Sequence, residues 1–185
     1  MIRFVTTNDG KFKEVSEMFA AKGIELERLN RSYPEIQADT VAEVVEYGLR
    51  TIPADEGDVL IDDSGLFIEK LGGFPGVYSA FVYKTLGCQG ILKVMLGWKL
   101  RGARFETCFG LRLSGEAKVF HGKVEGAITT EMRGKGGFGY DPIFVPKGER
   151  RTFAQLSVEE KNAISHRGRA AKATMKFLLK EDSEG

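Results

Sequence analysis

The sequence predicts an α/β fold in which a mixed β-sheet is covered by helices. Three observations carry this: a strand–helix–strand succession at the start, a helix with clear start and stop signals after it, and two long adjacent strands mid-chain. Residues 2–6, with Ile2, Phe4 and Val5, read as a buried strand. Phe12, Val15, Met18, Phe19 and Lys22 then follow helical spacing until Gly23 stops them. Residues 24–29 suit a second strand. Thr40 and Glu43 form a capping box, in which the hydroxyl accepts from a first-turn N–H while the carboxylate reaches back. Val41, Val44, Val45, Gly48, Leu49 and Ile52 trace one stripe of the following helix, and Pro53 ends it.

Residues 59–61 read as a short strand running into Asp62-Asp63-Ser64-Gly65, where a turn is expected. Residues 91–98 read as a helix. Residues 104–113 and 118–128 suit an antiparallel pair joined at Ser114-Gly115, and residues 143–145 a further short strand. Ser165 is placed to cap a last helix with Arg169, Lys172, Lys176 and Lys180 on its polar edge and Ala173, Phe177 and Leu178 facing inward. No repeat or Ser/Pro-rich linker divides the chain, so residues 1–185 are expected to form one domain.

Lys and Arg total 27 against 26 Asp and Glu, a net charge of +1, which argues against a basic nucleic-acid coat and an acidic disordered tail. The longest stretch without a charged residue, residues 71–83, is too short and too glycine-rich to cross a membrane. Cys88 and Cys108 lack zinc-type spacing and read as small core residues in a reducing cytoplasm. Glycine is in excess, 23 of 185 residues against a usual share of about 7%. Those glycines belong in loops.

Four stretches carry chemistry. Thr6-Thr7-Asn8-Asp9-Gly10-Lys11 follows a strand and opens a helix, where N–H groups, the helix dipole and Lys11 suit an anion; Asn8 as an ordinary cap is the alternative. Asp62-Asp63 ends an apolar strand, and paired acids there suit Mg²⁺, which favours carboxylate and phosphate oxygens. Consecutive strand residues face opposite ways, so both acids enter one cleft only if the chain turns. Gly134-Lys135-Gly136-Gly137-Phe138-Gly139 fits a dinucleotide fingerprint literally, but Pro142 interrupts any helix after it; a ring-stacking floor suits it better. Lys161, His166 and Arg167 gather cations near the start of the last helix, which the dipole disfavours unless an anion answers them.

Together these segments resemble the inosine triphosphate pyrophosphatases. The matching stretches are Thr7-Asn8 with Lys11 and Glu14, Glu35-Ile36-Gln37, Asp62-Asp63-Ser64-Gly65-Leu66 and Gly73-Phe74-Pro75-Gly76-Val77-Tyr78-Ser79-Ala80. Gly137-Phe138-Gly139-Tyr140-Asp141-Pro142, Lys161-Asn162 and Ser165-His166-Arg167 complete them, in family order over nearly the whole chain. The resemblance implies an elongated α/β fold with a mixed sheet flanked by helices, two lobes around a deep central cleft, and a homodimer. It implies Mg²⁺-dependent hydrolysis of ITP, dITP and XTP at the α–β anhydride, giving the monophosphate and pyrophosphate. By the same resemblance Thr7, Asn8, Lys11 and Ser64 contact phosphate, and Glu35 and Asp63, with Asp62 a weaker candidate, bind the metal. Asp63 also activates water. Phe138 stacks on the base with Gly139 and Tyr140 beside it in the binding loop, while Asp141, Lys161, His166 and Arg167 read its edge or steady the phosphates.

Two other readings compete with this one. A nucleotide sensor without turnover has no use for Glu35 beside Asp62-Asp63. A nucleic-acid module on Lys99, Arg101, Arg104, Lys147, Arg150 and Arg151 lacks interleaved aromatics and net positive charge.

Overall fold

The computed structural model describes the backbone of residues 1–184 and the side chains of residues 1–180. A seven-stranded sheet runs β2-β1-β3-β5-β6-β7, with β4 attached to β3. β1 (Ile2–Val5), β2 (Leu26–Leu29) and β3 (Val59–Ile68) are mutually parallel, joined through α1 (Asp9–Ala20) and α2 (Val41–Thr51). β4 (Pro75–Gly76), β5 (Gly102–Leu113), β6 (Glu116–Ile128) and β7 (Phe144–Pro146) pair antiparallel. The mixed sheet expected from the sequence is therefore present.

The local signals act as their chemistry requires. Asn8 Oδ1 accepts from the Lys11 N–H at 3.0 Å and starts α1. Thr40 and Glu43 close the capping box of α2. Ser114 and Gly115 both take positive φ, 50° and 87°, which gives the β5–β6 hairpin a two-residue turn that matches strand twist. Val15 and Phe19 pack with Leu60, Phe109 and Ala170 on one face of the sheet; Val41, Val45 and Leu49 pack with Ile61 and Cys108 on the other. A third cluster, around Leu66, Ile91, Phe144 and Phe153, fills the far end.

Three expectations are corrected. β3 does not stop before Asp62: it runs ten residues, and no turn occurs at Ser64-Gly65, because β5 pairs with it continuously from Val59 to Ile68. The helix expected over residues 91–98 is α4 (Gly87–Val94), preceded by α3 (Ser79–Thr85). Ile91 and Met95 are buried, but Leu96 is 83% exposed and Gly97 takes a φ of 78°, so the apolar run there ends the helix and does not extend it. α5 (Val158–Ile164) and α6 (His166–Glu184) close the fold, with the Ser165 hydroxyl accepting from the Gly168 N–H at 3.0 Å as expected. Ala173 is exposed; the inward stripe is Ala170, Ala171, Thr174, Met175 and Leu178, in phase with buried Arg167.

One feature of the sheet makes the site. β1 covers the edge of β3 only at Val59 and Leu60, and β4 covers the same edge only at Leu66 and Phe67. Residues 61–65 have no strand neighbour on that side.

Candidate active site

A cavity of about 620 Å³ opens at this uncovered edge. It is lined from both faces of the sheet, which is how Asp62 and Asp63 share one cleft although they point opposite ways. The outcome foreseen for a turn is achieved by an edge. Thr7, Asn8, Lys11, Glu35, Ser64, Phe138, Gly139, Tyr140, Asp141, Lys161, His166 and Arg167 all line it as well. The candidate phosphate, metal and base residues named from the sequence thus line one cavity.

The Asp62 side lies toward α1 and α6. Arg167 Nε reaches Asp62 Oδ2 at 3.3 Å, its NH1 reaches Glu14 Oε2 at 2.8 Å, and its NH2 donates to Ser64 Oγ at 3.1 Å. Lys161 Nζ donates to Glu14 Oε1 and Asp141 Oδ2, each at 2.6 Å. Lys11 Nζ lies 3.2 Å from both Asp62 Oδ1 and the Asp62 carbonyl. Three cations therefore meet three carboxylates. Burial works against the charge on Arg167, but Asp62 and Glu14 more than offset it and hold its pKa up. Burial raises the Asp141 carboxyl, and Lys161 opposes the rise. Glu14, buried and bridging two cations, is the chief partner that residue-by-residue reading left without a role; its place one turn after Lys11 was the available signal.

His166 is buried, stacked on Phe105 with ring centroids 4.5 Å apart and planes 9° from parallel. Burial first, then Arg167, Lys161 and Lys11, push its pKa well below the usual histidine value, so the ring is neutral. A neutral histidine and a paired arginine explain how two basic residues tolerate the start of α6. Phe138 stands over the same cations: Lys161 Nζ is 4.8 Å and Arg167 Cζ 5.3 Å from its ring centroid. Its ring is packed so closely on Gly10 that a Cβ there would lie 2.8 Å from Phe138 Cδ1. Asp141 Oδ2 accepts from the Phe138 N–H at 2.9 Å and fixes the loop. Gly134, Gly137 and Gly139 in that loop all have positive φ, a turn-rich path unlike a dinucleotide strand–helix junction.

Asp63 faces the α2 side. Burial raises its carboxyl pKa to about 7, Lys11 opposes this, and Glu35 and Asp62 add to it. Asp63 Oδ2 is buried without a hydrogen-bond partner among the described residues. A desolvated carboxylate oxygen near a second carboxylate, with no donor on it, fits a divalent cation. Among the described residues no three Asp, Glu, His or Cys side chains form a ready-made metal cage. Glu35 and Asp63 would thus supply two carboxylates, a set that suits a hard divalent cation completing its shell with water and phosphate oxygens. Asp62 is held by Arg167 and Lys11, so it fits a cation-orienting role better than a metal one.

Lys84 of α3 also lines the cleft, and among the described residues no carboxylate pairs with it. The basic residues weighed for a nucleic-acid surface are partly committed elsewhere: Arg101 donates to the carbonyls of Met95, Ile128 and Thr129, and Arg104 pairs with Glu106. Both cysteines are buried, and burial holds their thiols up, Cys88 to about 11 and Cys108 to about 12.

Fold and site together define an open mixed-sheet α/β protein whose charged cleft lies at a break in the sheet. Comparison with known proteins narrows that class. The sequence pattern of the Ham1 family matches residues 2–177. A protein of Thermococcus kodakarensis named dITP/XTP pyrophosphatase is 53% identical over 178 residues, 96% of each chain. Its counterpart of the same name from Pyrococcus horikoshii is 48% identical over 178 residues, again 96% of each. The solved Ham1 protein of Staphylococcus aureus superposes with a TM-score of 0.81 at 30% identity, covering 97% of this chain and 99% of that one. The HAM1 protein of Coxiella burnetii gives 0.80 at 32% identity, covering 97% and 100%. The chain belongs to the Ham1 family.

Proposed function

We propose that the protein is a nucleoside-triphosphate pyrophosphatase that removes noncanonical purine nucleotides, ITP, dITP and XTP, by hydrolysing the α–β anhydride with Mg²⁺. The carrying observation is the pairing, within one cleft, of a buried carboxylate with one partnerless oxygen, near Glu35, with a charge-balanced nest of Lys11, Lys161 and Arg167. The names of the Thermococcus and Pyrococcus relatives support the substrate class.

In this reading Glu35 and Asp63 hold Mg²⁺, which when bound supplies positive charge against the phosphate oxygens. Asp63 takes a proton from the attacking water. The water oxygen bonds to the α-phosphorus, the bridging bond to the β-phosphate breaks, and pyrophosphate leaves. Hydrolysis of this kind requires charge stabilisation and orientation, with no covalent nucleophile. Thr7, Asn8, Lys11 and Ser64 hold the triphosphate, and Lys84 adds a cation at the α3 wall. Glu14, Asp62 and Asp141 hold the cations of the nest in place, so the remaining N–H groups of those cations can donate to phosphate oxygens without rearranging. Such preorganisation lowers the reorganisation needed in the transition state.

Phe138 stacks on the base, with Gly139 and Tyr140 shaping the loop, while Asp141, Lys161, His166 and Arg167 read the base edge or steady the phosphates. Lysine and arginine only donate, so they match the C6 oxygen of hypoxanthine and xanthine and leave an adenine amino group unpaired. Losing a designed hydrogen bond can discriminate by about 10⁴-fold or more. We read residues 1–185 as one cytoplasmic two-lobed domain acting as a homodimer; Phe74, Tyr78 and Phe81, exposed together around β4 and α3, support a protein-covered surface there.

The test incubates the protein with ITP, ATP and GTP in Mg²⁺ and separates the products. IMP and pyrophosphate from ITP, with ATP nearly untouched, are expected. Equal rates on all three sink the specificity, and release of inorganic phosphate with a diphosphate sinks the bond assignment.

A further inference from the structure

The segment between β2 and α2 carries Glu35, yet it has no helix or strand of its own. Among the described residues, positions 32–38 make no backbone–backbone hydrogen bond, and no ion pair holds Glu35. The segment nonetheless forms a wall of the cleft through Arg31, Ser32, Tyr33 and Glu35. Something must hold it there.

Tyr33 makes the visible attachment. Its hydroxyl donates to the Asp62 carbonyl at 2.8 Å, one of the edge groups that no strand partners. Tyr33 packs against the apolar cluster that includes Val5, Val45 and Ile61. The ring occupies a notch in α2 at Gly48, where a Cβ would lie 2.7 Å from Tyr33 Cδ2. A mid-helix glycine weakens a helix, so the notch has a cost that packing of Tyr33 explains. Pro34 joins Tyr33 to Glu35; its ring fixes φ and biases Tyr33 toward extended backbone, which makes the link short and stiff.

We propose that Tyr33 is a positioning residue: it docks the Glu35 segment on the open edge of β3, with Gly48 as its socket, and so sets the spacing of Glu35 and Asp63. The cation part rests on reading those two carboxylates as the metal ligands. The docking part stands on the geometry alone.

Two measurements without nucleotide test it in Tyr33→Ala, Tyr33→Phe and Gly48→Ala. A glutamate-specific protease should cut after Glu35 at least about tenfold faster in Tyr33→Ala, because cleavage follows local opening, while cleavage after exposed Glu25 stays at the wild-type rate. Mn²⁺ affinity, read by electron paramagnetic resonance, should fall about tenfold, the usual scale for losing the support of a ligand. Gly48→Ala should shift both readouts the same way although alanine favours helices. Tyr33→Phe keeps the ring and should retain most of the protection. Wild-type cleavage and Mn²⁺ binding in Tyr33→Ala overturn the proposal, as does equal acceleration at Glu25 and Glu35, which marks general destabilisation. Unchanged Mn²⁺ binding in Glu35→Gln removes the cation reading, and docking is then decided by the cleavage pattern.

Discussion

In the proposed reading Asp63 works as base because its surroundings keep it from being an ordinary surface acid. Burial brings its carboxyl to about 7, and its free oxygen is aimed at no donor. Asp63→Asn keeps the shape and removes proton acceptance, so turnover should fall at least ~10²-fold while nucleotide still binds. Rates near wild type would move the base elsewhere. If Phe138 stacks on the base as proposed, Phe138→Ala should mainly weaken binding, since a stacking ring provides contact area and no proton; a loss of kcat at unchanged affinity would refute that role. His166 allows a pH argument. Its folded pKa lies below the unfolded value of about 6.5, so below that pH the unfolded chain takes up a proton that the native ring refuses. Stability is unaffected by this residue above about 6.5 and falls on acidification beneath it. Thermal midpoints at pH 7.5 and 5 should therefore converge in His166→Phe relative to wild type; an equally wide gap would assign the acid sensitivity to other groups.

Among the elements, α6 is placed by β6 at Gly122. A Cβ there would collide with the His166 carbonyl and lie 2.6 Å from the Ala170 nitrogen, both main-chain atoms that cannot swing aside. Gly122→Ala should cost about 1–3 kcal/mol by overpacking and shift the helix that carries His166 and Arg167. A lower melting temperature and a higher KM should appear together. Gly110→Ala meets only side-chain atoms of Val45 and Leu49, so it should lose less. Equal losses in the two variants would refute the main-chain clash. These contacts also show where sequence reading stops. Capping residues, the β5–β6 turn and the periodicity of α1 and α2 are local, and they were legible. The length of β3 was not, because Ser64-Gly65 has turn chemistry and only pairing with β5 keeps it extended. Nor were α3 and α5, each seven residues long and too short for a periodic signal. Within the cleft, residue types were legible, while the partners that Glu14 chooses and the docking of Tyr33 depend on contacts between distant segments.

At the scale of the whole molecule, a net charge of +1 conceals strong local order. The cleft nest is internally neutral, so binding should depend on salt less steeply than in a protein that presents bare lysines. The apolar surface around α3 carries the assembly prediction. Light scattering should give twice the chain mass, and Phe81→Asp, at a residue 67% exposed, should halve it without unfolding the protein. A wild-type monomer would refute the dimer, and a dimeric variant would move the contact surface.

The break in the sheet has a further effect. An unpaired strand edge is normally a hazard, since any passing strand can zip onto it. Here β1 and β4 stand as bookends with five residues between them, a span of about 20 Å at strand rise. A foreign strand cannot slide along an edge stopped at both ends. The gap thereby becomes a berth of fixed length, closed to polymerisation and open to a compact guest.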